Sequence, residues 1–225
     1  NITPYGLKDW TDGEILRAFT SGVGKNNRSL FPIMPYKNYG KVDKEDMLSI
    51  IAYLRTLEPI EIKHPKSSSN FPMNIFIHTL PLKAKFITKP DTNNSIKYGE
   101  YITTMAGCID CHSPFKNGRL VRNMSFAGGR VFDFEFITLT SPNITFDKKT
   151  GIGNWTKGQF IERFKAYDPS IFVSPKIEKD EFNTIMPWTQ YAGMTEKDLA
   201  AIYEYLKSVP IIENKTETVV LRQHH

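Results

Sequence analysis

Cys108-Ile109-Asp110-Cys111-His112 gathers both cysteines of the chain and a histidine into five residues. Two thiols at this spacing can each add across a vinyl group of one porphyrin, and the adjacent imidazole is then held beneath the ring as a nitrogen ligand to iron. The pattern points to covalently attached haem c. A bare C-x-x-C would serve equally as a dithiol redox couple or as half of a zinc site. Zinc needs further nitrogen or sulfur donors, and the remaining candidates, His64 and His78, sit in a different segment. A redox dithiol is expected beside a βαβ pattern, which the flanking sequence does not show. A chance match around a buried dithiol is the remaining alternative.

A six-coordinate haem needs a second axial ligand, and a thioether favours the reduced state and raises the potential. Seven methionines compete for the role. Met186 has the best context: Pro187 stiffens its loop, and a capped helix starts nine residues later at Thr195. Met34-Pro35 repeats that arrangement, with Asp43 nine residues on. Met47, Met105 and Met194 fall in or beside helical patterns, where a core role fits better.

The elements that must hold these residues are helices. Thr11 with Glu14 and Thr156 with Gln159 form capping boxes, and Thr195 with Asp198 is a similar start. Leu199, Ile202, Tyr203 and Leu206 recur at helical spacing on one apolar face, in a helix that Pro210 ends. A further helix is expected over about Ile96 to Ala106, running into the haem motif.

An internal repeat organises the chain. Asn1-Ile2-Thr3 recurs as Asn143-Ile144-Thr145, W-T-D-G-E-I-L-R-A-F from Trp10 matches W-T-K-G-Q-F-I-E-R-F from Trp155, and I-M-P-Y from Ile33 matches I-M-P-W from Ile185. D-K-E-D-M-L-S-I-I-A-Y-L-R-T-L from Asp43 then parallels T-E-K-D-L-A-A-I-Y-E-Y-L-K-S-V from Thr195. Two copies of one domain are expected: the C-terminal part of a first domain over 1–60, a linker over 61–94, a second domain over 95–212 and a tail over 213–225. The fold class expected is mostly α, in tandem domains of which the first lacks its N-terminal half, because its equivalent of C-x-x-C-H falls outside the sequence. F-P-M-N-I-F-I-H-T-L-P-L-K, after the polar run Lys66 to Asn70, is expected to cross a domain face in extended form.

Charge and composition bound the partners. The net charge is +5, yet Lys97 to Ile212 carries 14 Lys/Arg against 13 Asp/Glu. No basic stripe with interleaved aromatics appears, so nucleic acid is not an expected partner. Lys116, Arg119, Arg122 and Arg130 cluster after the haem motif, available to haem propionates, to an acidic partner, or simply to solvent. Trp10 and Trp155 hold equivalent positions, where an indole can donate to a propionate or pack as a core aromatic. Gly128-Gly129 suggests a turn into a short extended piece, and Asp168 to Asn183 is an insertion before Met186, a candidate docking feature. No run of about 18 apolar residues is present, and no signal peptide opens the sequence. Because haem c is attached outside the cytoplasm, a targeting signal is expected to have preceded Asn1. His224 and His225 receive no function.

C-I-D-C-H, F-A-G-G, N-I-T-F-D-K-K-T-G-I-G-N-W-T, I-M-P-W and Y-A-G-M-T-E-K-D-L-A-A-I-Y-E-Y-L-K-S-V together resemble the multi-haem c-type cytochromes that serve periplasmic dehydrogenases for alcohol, gluconate and aldehyde. N-I-T-P, M-P-Y-K-N-Y-G and N-F-P-M-N resemble the first domain and connector of the same family, so the likeness covers nearly the whole chain. It implies a mostly helical cytochrome c fold, with His112 and Met186 as axial ligands, Cys108 and Cys111 as anchors, and Met34 serving the first domain. One haem c would be attached to this sequence, and a second would be anchored in the first domain by residues outside it. The implied function is electron transfer in a periplasmic respiratory or dehydrogenase chain of a bacterium. Partners would be a dehydrogenase, other cytochromes or a terminal oxidase, with peripheral membrane association allowed. The rival reading is a dihaem oxidoreductase of the peroxidase or thiosulfate-oxidising type, which needs a labile distal position and acid-base groups. A methionine on each iron argues against it.

Overall fold

A computed structural model describes residues 1–31, 33–65, 67–135, 137–176 and 184–221. Lys66, the 177–183 part of the insertion, and His224 and His225 fall outside the described residues. The chain is mostly helical and divides into two compact units, Asn1–Lys89 and Pro90–His225.

The first unit contains α1 (Pro4–Leu7), α2 (Asp12–Ser21), α3 (Tyr36–Tyr39), α4 (Lys44–Thr56) and α5 (Met73–Phe76). Thr11 and Glu14 cap α2 reciprocally, and the Asp43 carboxylate accepts from the Glu45 amide at the start of α4. Leu7, Ile15 and Ile51 form a small buried cluster with Trp10, Leu16, Phe19 and Leu48 around it. Where extended chain was expected after Asn70, Met73–Phe76 and Ile77–Thr79 instead make helical turns. Beyond Leu80, itself still helical in conformation, the chain has no regular secondary structure as far as Asp91. This segment lies along the unit: Leu82 N donates to Ser21 O, Lys85 N to Gly40 O and Lys89 N to the Asp43 carboxylate.

The second unit contains α6 (Ser95–Met105), α7 (Cys108–Cys111), α8 (Lys157–Lys165), α9 (Trp188–Tyr191) and α10 (Glu196–Ser208). Reciprocal capping boxes start α8 at Thr156 and α10 at Thr195. Leu199, Ile202, Tyr203 and Leu206 of α10 are all buried, in a cluster with Phe126, Ile152, Phe160 and Phe164. Helices α6 and α10 pack so closely that a side chain at Gly99 would overlap the Ala201 carbonyl. Two antiparallel sheets complete the unit. A hairpin joins β1 (Phe115–Lys116) to β2 (Arg119–Leu120). The second sheet runs β3 (Val131–Asp133), β4 (Ile137–Thr140) and β5 (Val219–Leu221) in that order. Residues 213–221 are therefore tied to this unit, also through Asn214, whose amide donates to Ala127 O.

The N-I-T segments make the same bonds in both units. Asn143 Oδ1 accepts from Thr145 N and Oγ1, and its Nδ2 donates to Ile212 O and Thr150 Oγ1, pinning the chain that follows α10. Asn1 Oδ1 likewise accepts from Thr3 N and Oγ1, and its Nδ2 donates to Ile60 O after α4. Asn143 is buried and Asn1 exposed. Leaving buried partners unsatisfied is the larger cost, so Asn143→Ala is expected to destabilise the second unit by about 3 kcal/mol and Asn1→Ala the first by well under half of that. Denaturant unfolding of each variant checks the contrast.

Candidate functional site

The haem motif is held by backbone geometry on three sides. Gly107 takes a left-handed conformation that turns the chain from α6 into α7, and His112 N closes the turn on Cys108 O. The His112 carbonyl accepts from Gly128 N, and Phe126 N donates to the buried Ser113 hydroxyl. Gly128 has a positive φ, and a Cβ there would press on the Ser141–Asn143 backbone, so F-A-G-G brings that segment against the histidine.

His112 Nδ1 lies 2.9 Å from Pro142 O. A carbonyl only accepts, so Nδ1 carries the proton and Nε2 keeps its lone pair, the tautomer a metal ligand needs. Burial holds the imidazole below the usual histidine range, although the Pro142 bond acts in the opposite direction. It is therefore neutral at pH 7. Burial also pushes the Cys108 thiol up to about 12, helped by Cys111 and Asp110. Cys111 is raised as well, first by burial and then by Asp110, with Arg130 acting against them. Protonated thiols of this kind are unlike the lowered-pKa cysteines of redox dithiols. Among the described residues no group of three His, Cys, Asp or Glu side chains is placed to hold a metal ion.

Two cavities of about 320 and 580 Å³ share the wall formed by Cys108, His112, Pro142 and Met186. Cys111 lines the first and Trp155 the second. The structure thus brings Cys108, Cys111, His112, Met186 and Trp155 around one apolar space. Met186 comes from the turn before α9: its N–H donates to the Thr184 hydroxyl at 3.1 Å, and its carbonyl accepts from Trp188 N at 2.8 Å. Met194 reaches the second cavity too. Met34 is in the first unit, half-buried, and lines neither cavity; Met47 is fully buried.

Several residues on these walls escaped the sequence reading. Arg163 lines both cavities, with its guanidinium 4.8 Å from the Trp188 ring centre and 5.3 Å from that of Tyr167. Trp188 and Tyr167 are themselves stacked at 5.0 Å. Their spacing as Arg163, Phe164 and Tyr167 on and after α8 is a readable helical face, but the partner ring arrives from a distant loop. Thr218 also lines the first cavity, carried there by the chain leading into β5.

An apolar space walled by two thiols, a neutral imidazole and a thioether is compatible with haem c, and this set of side chains resembles the donors of c-type cytochromes. The chain is similar over its whole length to the fructose dehydrogenase cytochrome subunit of Gluconobacter japonicus, at 28% identity across 240 residues and 47% of that protein. It is 29% identical to the cytochrome c subunit of the quinone alcohol dehydrogenase of Gluconacetobacter polyoxogenes, over 93% of the chain and 47% of the relative. A diheme c-type cytochrome of Cereibacter sphaeroides is 29% identical over 95% of the chain and 71% of its own length. The chain spans about half the length of the dehydrogenase subunits it matches. No family model matches it.

Proposed function

We propose that this protein transfers electrons through haem c, as a cytochrome subunit serving a dehydrogenase in an extracytoplasmic, periplasmic chain. The observation that carries the reading is that Cys108, Cys111, His112 and Met186 all line the first cavity. When bound, the haem supplies one-electron redox chemistry. The chain would supply the rest: Cys108 and Cys111 would anchor the group, His112 would offer Nε2 in a tautomer set by Pro142, Met186 would offer its thioether, and Trp155 and Arg163, which line the cavities, would be available to the propionates. The mostly apolar walls would shield a bound haem from much of the solvent, which would limit reorganisation when its charge changes.

The related segments of the first unit support a tandem arrangement, with Met34 in the part of Met186. Met34 O accepts from Tyr36 N at 2.8 Å, as Met186 O does from Trp188 N. Residues 1–89 hold no cysteine, so a haem in that unit would need thiols from outside it. Among the described residues no helix is long and apolar enough to cross a membrane.

Redox titration coupled to stopped-flow mixing with peroxide tests this function. A reversible one-electron wave without peroxide turnover is expected. Catalytic peroxide consumption would establish the dihaem enzyme instead.

The β1–β2 hairpin is the proposed meeting point with an acidic redox partner. Lys116 and Arg119 are direct cross-strand neighbours on exposed strands, an arrangement of like charges that costs stability unless an anion sits between them. Neither they nor Arg122 line the cavities, and no ion pair among the described residues involves them. Reversing both charges (Lys116→Glu with Arg119→Glu) is expected to slow reduction by an anionic reagent about tenfold at low salt. The difference should close by about 0.5 M salt, as screening requires. Equal rates in variant and parent at low salt would remove the hairpin from the docking surface.

A further inference from the structure

The loop that carries Met186 ends at α9, a single turn whose carbonyls accept from the amides that follow: Ala192 N donates to Trp188 O, Gly193 N to Gln190 O and Met194 N to Tyr191 O. Two of the carbonyls that follow this turn converge on one side chain. Lys165 Nζ, at the end of α8, donates to Ala192 O at 2.8 Å and to Met194 O at 2.6 Å. On the other side of the turn, the Tyr191 hydroxyl donates to Ala106 O at 2.7 Å, at the end of α6 just before the haem motif. The methionine loop is therefore bolted to α8 and to α6 by two side chains.

The first unit shows what happens where the lysine is missing. In the repeat, Thr20 stands in the position of Lys165 and Gly40 in that of Ala192. The Gly40 carbonyl still has a donor, but it is the backbone N–H of Lys85, at 2.7 Å, in the segment that runs along that unit. Tyr36, the equivalent of Trp188, is fastened to the same chain through its hydroxyl and Leu80 O. The equivalent acceptor is satisfied in both units, once by a backbone amide of a passing segment and once by a charged side chain.

We propose that Lys165 is a positioning residue that locks the Met186 loop over the haem cavity, in place of the chain segment that holds the corresponding loop of the first unit. The inference rests on Met186 being the distal ligand. An ammonium spanning two carbonyls makes charge-assisted bonds, stronger than neutral ones, and it is only partly buried, so it can hold the loop without a large desolvation cost. The lock competes directly with any foreign ligand that must push the loop aside.

Imidazole titration of the oxidised holoprotein measures that competition, because imidazole binds iron only when the thioether leaves. Lys165→Met is expected to bind imidazole about tenfold more tightly than the parent, and Lys165→Arg, which keeps the charge, to fall between them. Tyr191→Phe should loosen the loop in the same direction and serves if Lys165→Met folds poorly. Amide hydrogen exchange at Trp188, Tyr191 and Ala192 should accelerate by a similar factor in Lys165→Met, with α10 unaffected. A parent that shows the near-infrared sulfur-to-iron band, with imidazole affinity unchanged in Lys165→Met, would overturn the lock alone. A parent without that band would overturn the Met186 assignment and, with it, the role of Lys165 toward iron.

Discussion

Replacing Cys108 and Cys111 together by alanine should leave a polypeptide that carries no haem through a denaturing gel, while each single variant retains one thioether and a shifted absorption band. The cysteines sit on adjoining walls of the same cavity and nothing else in the chain can form a thioether bond to a vinyl group. The double variant should also lose stability in the second unit. Cys108 packs against the cluster built on Phe126, Phe160 and Phe164, so the cavity wall and the core share side chains. A group that binds only the native state at 100 to 1,000 times its dissociation constant stabilises by roughly 3–4 kcal/mol, and covalent attachment should exceed that. Haem staining and thermal unfolding monitored in the far ultraviolet measure the two effects separately. If acid acetone removes all haem from the parent protein, the attachment is not covalent.

What could be read from the sequence depended on how local the cause was. Capping boxes at Thr11, Thr156 and Thr195 are set by residues three apart, and all three form as read. The buried face of α10 follows from helical spacing alone, and its four predicted residues are all in the core. The segment after Asn70 went differently. Its apolar residues suggest a strand crossing a surface, but the turn at Met73–Phe76 is set by the Asn70 and Pro72 carbonyls, which accept from Asn74, Ile75 and Phe76. No periodicity announces that.

The candidate site divides in the same way. Cys108, Cys111 and His112 are legible because the chemistry demands contiguous residues. Pro142 is not, since its carbonyl meets His112 only through the turn at Gly128, 30 residues separating donor and acceptor in sequence. Lys165 and Arg163 read as solvent-facing charges on an amphipathic helix. Their partners, the Ala192 carbonyl and the Trp188 ring, come from beyond the insertion. Residues after Ile212 look like a tail because Val219–Leu221 is too short to register as a strand, and only pairing with β4 makes it one.

Met186→Ala should have the second-largest effect, on the haem's potential and on what the iron can bind. The thioether stabilises the reduced state, so its loss should lower the potential by on the order of 0.1–0.3 V, within the roughly 0.8 V that axial ligation spans. The near-infrared band should vanish in both Met186→Ala and Met186→His. The two variants then part company. In Met186→His a new nitrogen ligand closes the position, and reactivity toward small ligands stays low. In Met186→Ala the position opens, and the Thr184, Trp188 and Tyr191 walls leave room for peroxide to reach it. The alanine variant should therefore gain a peroxidase activity that the parent lacks, which would show that the thioether is what keeps this protein a carrier. Met194 is the side chain to watch, because it faces the second cavity and is also a thioether. If Met186→Ala keeps the band and Met186→Ala with Met194→Ala loses it, the distal role passes to Met194, and the loop held by Lys165 carries its ligand at the far end rather than the near one.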